Sequence, residues 1–200
     1  MERNGFAATS VEQILDAAAT SKGAFFHHFD SKRALARALV ERYVDADLGL
    51  LQEGLDAVAD VEDPVERVLA FLGHYERWAD ELVSAESACL YIAVLTEHEL
   101  LDEATAGAVQ RAVRSWREAY LALLQPALDA RGVRDVDADA LADHLFTTFE
   151  GGYLLCRSFA SPQPMRDQLR VLRRLVAALL GQTAAGPRRG GRGPAARVRA

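Results

Sequence analysis

Three observations predict an all-α protein. Apolar residues recur at helical spacing along nearly all of the 200 residues. Glycine and proline stay sparse until the C-terminal end. No segment joins sustained alternation to β-branched enrichment, so strands are not expected. The length corresponds to one domain or a compact pair, at ~150 residues per domain.

Local chemistry places the helices in order. Thr9 and Glu12 have capping-box spacing, so a short helix is expected from about Ser10, with Val11, Ile14, Leu15 and Ala18 on one stripe. Thr20 and Ser21 interrupt it, and a second short helix is expected from Ser21 to His28. Asp30 and Ser31 cap a longer helix carrying Leu35, Leu39, Tyr43, Ala46 and Leu50 on one face. Asp63-Pro64 with Glu66 opens the next, proline standing at its favoured first position. Helices follow at Ala88–Glu97, and from about Asp102 to Ala130 with a kink at Pro126 and a stop at Gly132. Asp137 caps a helix to about Phe159. Pro162 and Pro164 break the chain before a last helix from Met165 to Gly181.

Composition narrows the function classes. The longest apolar run, Ala88 to Leu95, is far short of the ~20 residues that span a bilayer, so no membrane segment is expected. No secretory leader is evident, and Cys89 and Cys156 form no CxxC pair, so neither a disulfide scaffold nor a zinc ribbon is expected. A reducing cytoplasm is the expected location. The net charge of −6 is unevenly spread. Residues 1–45 hold six basic and six acidic side chains, and residues 184–200 hold five arginines and no acid, which leaves −11 for residues 46–183. Nucleic acid will not be drawn by the overall field, so any contact needs a local surface in the first segment or the tail. Residues 184–200 lack apolar periodicity and read as a disordered basic tail.

Residues 10–29 have the organisation of a helix-turn-helix: two short helices joined by about three residues. At 100° per residue, Phe25 and Phe29 of the second helix point inward. Gly23, Ala24 and His27 lie opposite, flanked by Lys22, Phe26 and His28. That outward face is small, polar and basic, which suits entry into a major groove. Lys22 and Lys32 are placed to neutralise phosphates, and the hydroxyls of Thr9, Ser10 and Ser21 to clamp them.

The run Gly5-Phe6-x-x-Thr9-Ser10-Val11-x-x-Ile14, followed by Ser21-Lys22-Gly23-x-x-Phe26-x-His28-Phe29-x-Ser31-Lys32-x-x-Leu35, resembles the DNA-binding region of TetR-type transcriptional regulators. The resemblance implies a head over residues 1–45 and a helical ligand-binding and dimerising domain over residues 46–183. It implies a homodimer that reads a palindromic operator in double-stranded DNA, and a small-molecule effector that spreads the heads and releases it. Three departures stand out. The family carries a helix before Gly5-Phe6, where only Met1–Asn4 stand here. Phe26 replaces the usual tyrosine and its phosphate hydrogen bond, with His27 and His28 beside it as alternative donors. Ala19 stands where glycine is usual, which Ala tolerates only if its φ is not positive.

The larger domain shows no catalytic or metal-binding pattern and no cofactor motif, so an enzyme is not expected. In Glu97-His98-Glu99, adjacent side chains point in different directions on a helix, so no metal site is expected there. Aromatics at helical spacing, namely Phe71, Tyr75 and Trp78, Trp116 and Tyr120, then Phe146, Phe149 and Tyr153, serve as core or line an apolar cavity between helices. His144 and Cys156 are candidates for its polar contacts. The acidic domain admits a neutral or cationic effector more readily than an anion. Cys89 reads as a buried hydrophobe or as an oxidant or electrophile sensor. The last two helices carry more apolar surface than one buried side needs, including Leu141, Leu145, Gly152, Leu155 and Phe159, then Leu169, Leu172, Leu175, Val176, Leu179 and Leu180. They are the expected dimer surface. The rival from another class is a helical dimer that binds small molecules and has lost DNA binding; a third reading is a helical enzyme using His144 or Cys156.

Overall fold

Short polar side chains set most helix starts. Ser10, Ser21, Ser31, Asp63, Asp102 and Asp137 each accept a hydrogen bond from the backbone N–H three residues on. The computed structural model describes residues 6, 8–82, 90–96 and 102–181. Among these residues the chain is helical and strand-free: α1 (Val11–Ala17), α2 (Lys22–His28), α3 (Lys32–Asp56), α4 (Pro64–Arg77), α5 (Ala79–Leu82), α6 (Leu90–Thr96), α7 (Glu103–Arg131), α8 (Ala138–Phe159) and α9 (Gln163–Leu179). The predicted basic tail, residues 184–200, and Cys89 lie outside the described residues.

The first cap falls one residue later than the sequence predicts. Ser10, not Thr9, accepts from Gln13 N at 3.2 Å, and the Gln13 side chain accepts from Ser10 N at 2.8 Å. Thr9 is instead buried. The last helix begins earlier than predicted, because Pro164 falls in its first turn, where a missing N–H costs nothing. α7 runs through Pro126 and ends on Gly132 at φ 66°, a left-handed stop.

α3 packs on a different face from the one predicted. Its buried row is Ala36, Val40, Val44, Leu51 and Gly54, whereas Leu39, Ala46 and Leu50 are exposed. The helix carries apolar residues on several sides, and its packing against α7 selects the row.

Two clusters form the main core. Phe71, Leu72, Tyr120, Leu124, Leu145, Leu169 and Leu172 join α4, α7, α8 and α9. Val40, Val44, Tyr91, Val94, Val109 and Ala112 join α3, α6 and α7. Each large side chain fully removed from water contributes about 1.5–3 kcal/mol. Ion pairs trim the outside: Arg37 meets Asp102 at 2.8 Å and Arg111 meets Glu41 at 2.5 Å, both tying α3 to α7. The Thr105 N–H, and after it the Arg37 guanidinium, hold the Asp102 carboxyl below the usual carboxylate range. Glu76 of α4 is bound by Arg170 and Arg173 of α9; burial opposes its charge, but the two guanidiniums prevail and hold its pKa down.

Candidate nucleic-acid interface and helical-domain cavity

α2 is anchored from behind and open in front. Phe25 is buried, with its ring 5.1 Å from Phe26 edge-on and 5.7 Å from the half-buried Phe29. Lys22, Gly23, Ala24, Phe26, His27 and His28 are all exposed. A Cβ on Gly23 would meet nothing nearer than Ser21 Oγ at 3.9 Å, so this face is clear of the rest of the chain. The Ser10 and Ser21 hydroxyl oxygens accept from Gln13 N and Ala24 N. Their O–H groups remain chemically able to donate.

Thr9 and Lys32 do not share that surface. Thr9 retains only 6% of its accessible area, which removes its hydroxyl from any phosphate. Lys32 turns its ammonium inward: Nζ donates to the carbonyls of Phe6 at 2.8 Å and Thr9 at 3.0 Å, and lies 4.2 Å from the centroid of the Phe6 ring. It clamps the segment before α1 to the start of α3, a role that charge-assisted hydrogen bonds and a cation–π contact serve well. The partner carbonyls stand 26 and 23 residues away in sequence, so spacing alone could not reveal them.

The turn between α1 and α2 is strained. Ala19 N donates to Asp16 O and Thr20 N to Leu15 O, a Schellman closure that places Ala19 at φ 47°. The condition for tolerating alanine there, a φ outside the positive region, is not met. A Cβ in this region costs about 1–2 kcal/mol.

In the helical domain a small cavity of about 40 Å³ opens between α3, α4, α6, α7 and α8. Of the aromatics expected as core or cavity lining, Tyr75, Trp116, Phe146, Phe149 and Tyr153 line it. Phe71 and Tyr120 do not: both are fully buried, stacked with centroids 6.1 Å apart in the core. Trp78, one turn beyond Tyr75 and His74 at the end of α4, is 52% exposed. His144 sits on the outer face of α8. Cys156 is buried in the core, where its Sγ accepts from Met165 N and donates to Pro162 O. The packing of whole helices, invisible in their periodicity, sorts these residues.

Sequence reasoning missed the cavity's carboxylates. Asp47 Oδ2 accepts from the Tyr91 hydroxyl at 2.7 Å and from Trp116 Nε1 at 2.8 Å. Burial pushes its pKa up against those two donors. Glu150 lines the same space, as do Tyr43 and Tyr91. The available signal was Tyr43 and Asp47 at i, i+4 on α3, and Glu150 three residues before Tyr153 on α8. Tyr75 seals one wall: its hydroxyl donates to Leu50 O at 2.9 Å, and only a glycine fits opposite, since a Cβ on Gly54 would lie 2.1 Å from that hydroxyl.

Comparison with known proteins decides the family. The family model described as bacterial regulatory proteins, tetR family, matches residues 1–39, and the Tetracyclin repressor-like C-terminal domain matches residues 64–172, more than half of the chain. The chain belongs to the TetR family. It is a DNA-binding transcriptional regulator and not an enzyme. The transcriptional regulator AcuR of Cereibacter sphaeroides is 26% identical over 178 residues, spanning 87% of this chain and 78% of that protein. The HTH-type transcriptional repressor KstR2 of Rhodococcus jostii is 37% identical over 62 residues, 29% of this chain and 30% of that protein. Among solved structures, the regulatory protein TetR from Rhodobacter sphaeroides is 25% identical, with a TM-score of 0.66 over 86% of this chain and 90% of that one. A TetR-family regulator from Agrobacterium tumefaciens shares the fold, with a TM-score of 0.69 over 87% of this chain and 90% of that one at 23% identity. TetR-family regulators bind DNA and small-molecule effectors as dimers. No described helix of this TetR-family regulator is long and apolar enough to cross a membrane.

Proposed function

We propose that this regulator is a repressor that binds a palindromic operator as a homodimer, with α2 of each subunit in the major groove, and that a small molecule in the helical-domain cavity releases it. The observation that carries the reading is the outward face of α2: exposed, slim at Gly23 and Ala24, and basic at Lys22, with Phe25 buried behind it. A packing hairpin has no use for such a face; a major groove admits little else. Lys22, with the O–H groups of Ser10 and Ser21 and the imidazoles of His27 and His28, is the phosphate-contacting set in this reading, with His27 also turned to base edges.

Two further features support the rest of the proposal. On α8 and α9, Leu154, Phe159, Val171 and Leu175 remain between 47% and 69% exposed, although the inner rows of both helices are buried. The predicted dimer stripe therefore divides: Leu145, Gly152, Leu169, Leu172, Val176 and Leu180 serve the subunit's own core. Gly152 is there to admit Met165, whose Sδ would lie 2.7 Å from a Cβ at that position. Pairing the outer rows of two copies gives a four-helix bundle. The second feature is that α3 carries both the start of the head's third helix and Asp47 of the cavity without interruption.

The test begins with a duplex selected from random DNA by the full chain. Gly23→Ala meets open space, so helix propensity makes it raise stability by about 0.5–1 kcal/mol. It should nevertheless weaken binding of the selected duplex, because the added methyl sits on the groove-facing side. Lys22→Ala should weaken binding to all sequences and lower the salt slope by about 0.9. Failure to select any duplex, or full-strength binding by the Gly23→Ala protein, overturns the proposal and favours a dimer that binds small molecules without DNA.

A further inference from the structure

The cavity holds negative charge among aromatic faces. Asp47 enters it from α3 and Glu150 from α8, and among the described residues no lysine, arginine or histidine lines it. The groups that satisfy Asp47 Oδ2, the Tyr91 hydroxyl and the Trp116 indole N–H, are neutral, so they orient the carboxylate without cancelling its charge. Two groups of rings flank it. Tyr75, Trp116 and Phe149 form one, with centroids 5.4 to 5.7 Å apart. Tyr43, Tyr91 and Phe146 form the other, at 5.1 and 5.9 Å. Carboxylates beside aromatic rings attract positive charge from two directions at once.

The donor set narrows the kind of cation. Among the described residues no group of three His, Cys, Asp or Glu side chains could hold a metal ion. The wall's acceptors are two carboxylates and tyrosine hydroxyls, and seven of its ten described residues are aromatic. An alkylated cation suits such a wall, because its methyl groups present diffuse charge to the rings without needing an acceptor each. The volume, about 40 Å³, sets the size. It equals the centre space of a few waters at roughly 10–15 Å³ each, which accommodates a compact head and not a long apolar tail.

We propose that the cavity is a receptor for a small alkylated onium cation, held by Asp47 and Glu150 and enclosed by the rings of Tyr75, Trp116 and Tyr43. This names the effector class of the ligand-release reading above and rests on that reading only for its consequence at DNA.

Three probes of similar bulk and different charge test it: tetramethylammonium, neutral tert-butanol and anionic pivalate, each at matched ionic strength. Trp78→Phe leaves Trp116 as the only indole, so its fluorescence reports on the cavity. Tetramethylammonium should quench it saturably and bind at least roughly tenfold more tightly than tert-butanol, the discrimination expected of one desolvated cation–π contact. Pivalate should bind weakest. Asp47→Asn keeps an acceptor oxygen for Tyr91 and Trp116 but removes the charge; Glu150→Gln does the same across the cavity. Each should lower tetramethylammonium affinity by roughly tenfold and leave tert-butanol unchanged. Equal binding of all three probes, absence of binding, or indifference to both substitutions overturns the cation assignment. Release of the selected duplex is read separately. Tight tetramethylammonium binding without release upholds the receptor and overturns ligand release. Release by pivalate or tert-butanol alone does the reverse.

Discussion

The head and the helical domain are held together by different means. In α1 no residue is fully buried, and α2 buries Phe25 alone. Their geometry rests on hydroxyl caps at Ser10, Ser21 and Ser31, the strained closure at Ala19 and the Lys32 clamp. The helical domain instead buries long rows of apolar side chains from α4, α7, α8 and α9. Polar local bonds contribute about 1 kcal/mol each, while a large apolar side chain fully removed from water contributes about 1.5–3 kcal/mol. Among the described residues the α1–α2 region is thus the weaker one, and substitutions there are expected to leave the packing of α4, α7, α8 and α9 in place.

Substitutions can break or sharpen this contrast. The largest effect belongs to the core: Phe71→Ala should cost about 3–5 kcal/mol, seen as a lower urea midpoint for the whole domain. A loss under 1 kcal/mol would mean that the core is looser than the buried rings imply. Next comes the clamp. Lys32→Met keeps the stem over Phe6 but strands two carbonyls, at a cost of about 1–3 kcal/mol. Hydrogen exchange should quicken in α1 and α2 while α7 to α9 stay protected. DNA binding should fall without the drop in salt slope of about 0.9 that loss of a phosphate contact produces. Such a drop would return Lys32 to the DNA surface. The smallest effect is at the turn: Ala19→Gly should raise head stability by about 0.5–1 kcal/mol, the relief at φ 47° less the added freedom of the unfolded chain. A decrease would show the left-handed backbone to be unstrained there.

The legible parts of the molecule were those governed by neighbours in sequence. Asp63 with Pro64, Asp137 and Gly132 mark helix ends because caps act over three or four residues. The orientation of α2 was legible because Phe25 and Phe29 set its phase within one turn. The face of α3 was not, since Leu35, Leu39 and Leu50 compete with Val40, Val44 and Leu51, and only α7 decides between the rows. The cavity divided along the same line. Tyr75 and Phe71 stand four apart on α4 and both join the core, yet only Tyr75 reaches the cavity. Asp47 carries no local mark of its place, because its partners Tyr91 and Trp116 stand 44 and 69 residues away in sequence.

α3 has no joint between Lys32 and Asp47. At 1.5 Å per residue the two ends of that stretch stand roughly 22 Å apart along one rigid rod. A tilt of about 10° at the cavity end therefore carries the head end roughly 4 Å, comparable to the spacing of successive base pairs. In the proposed dimer, so slight a motion is enough to put one reading head out of step with the other.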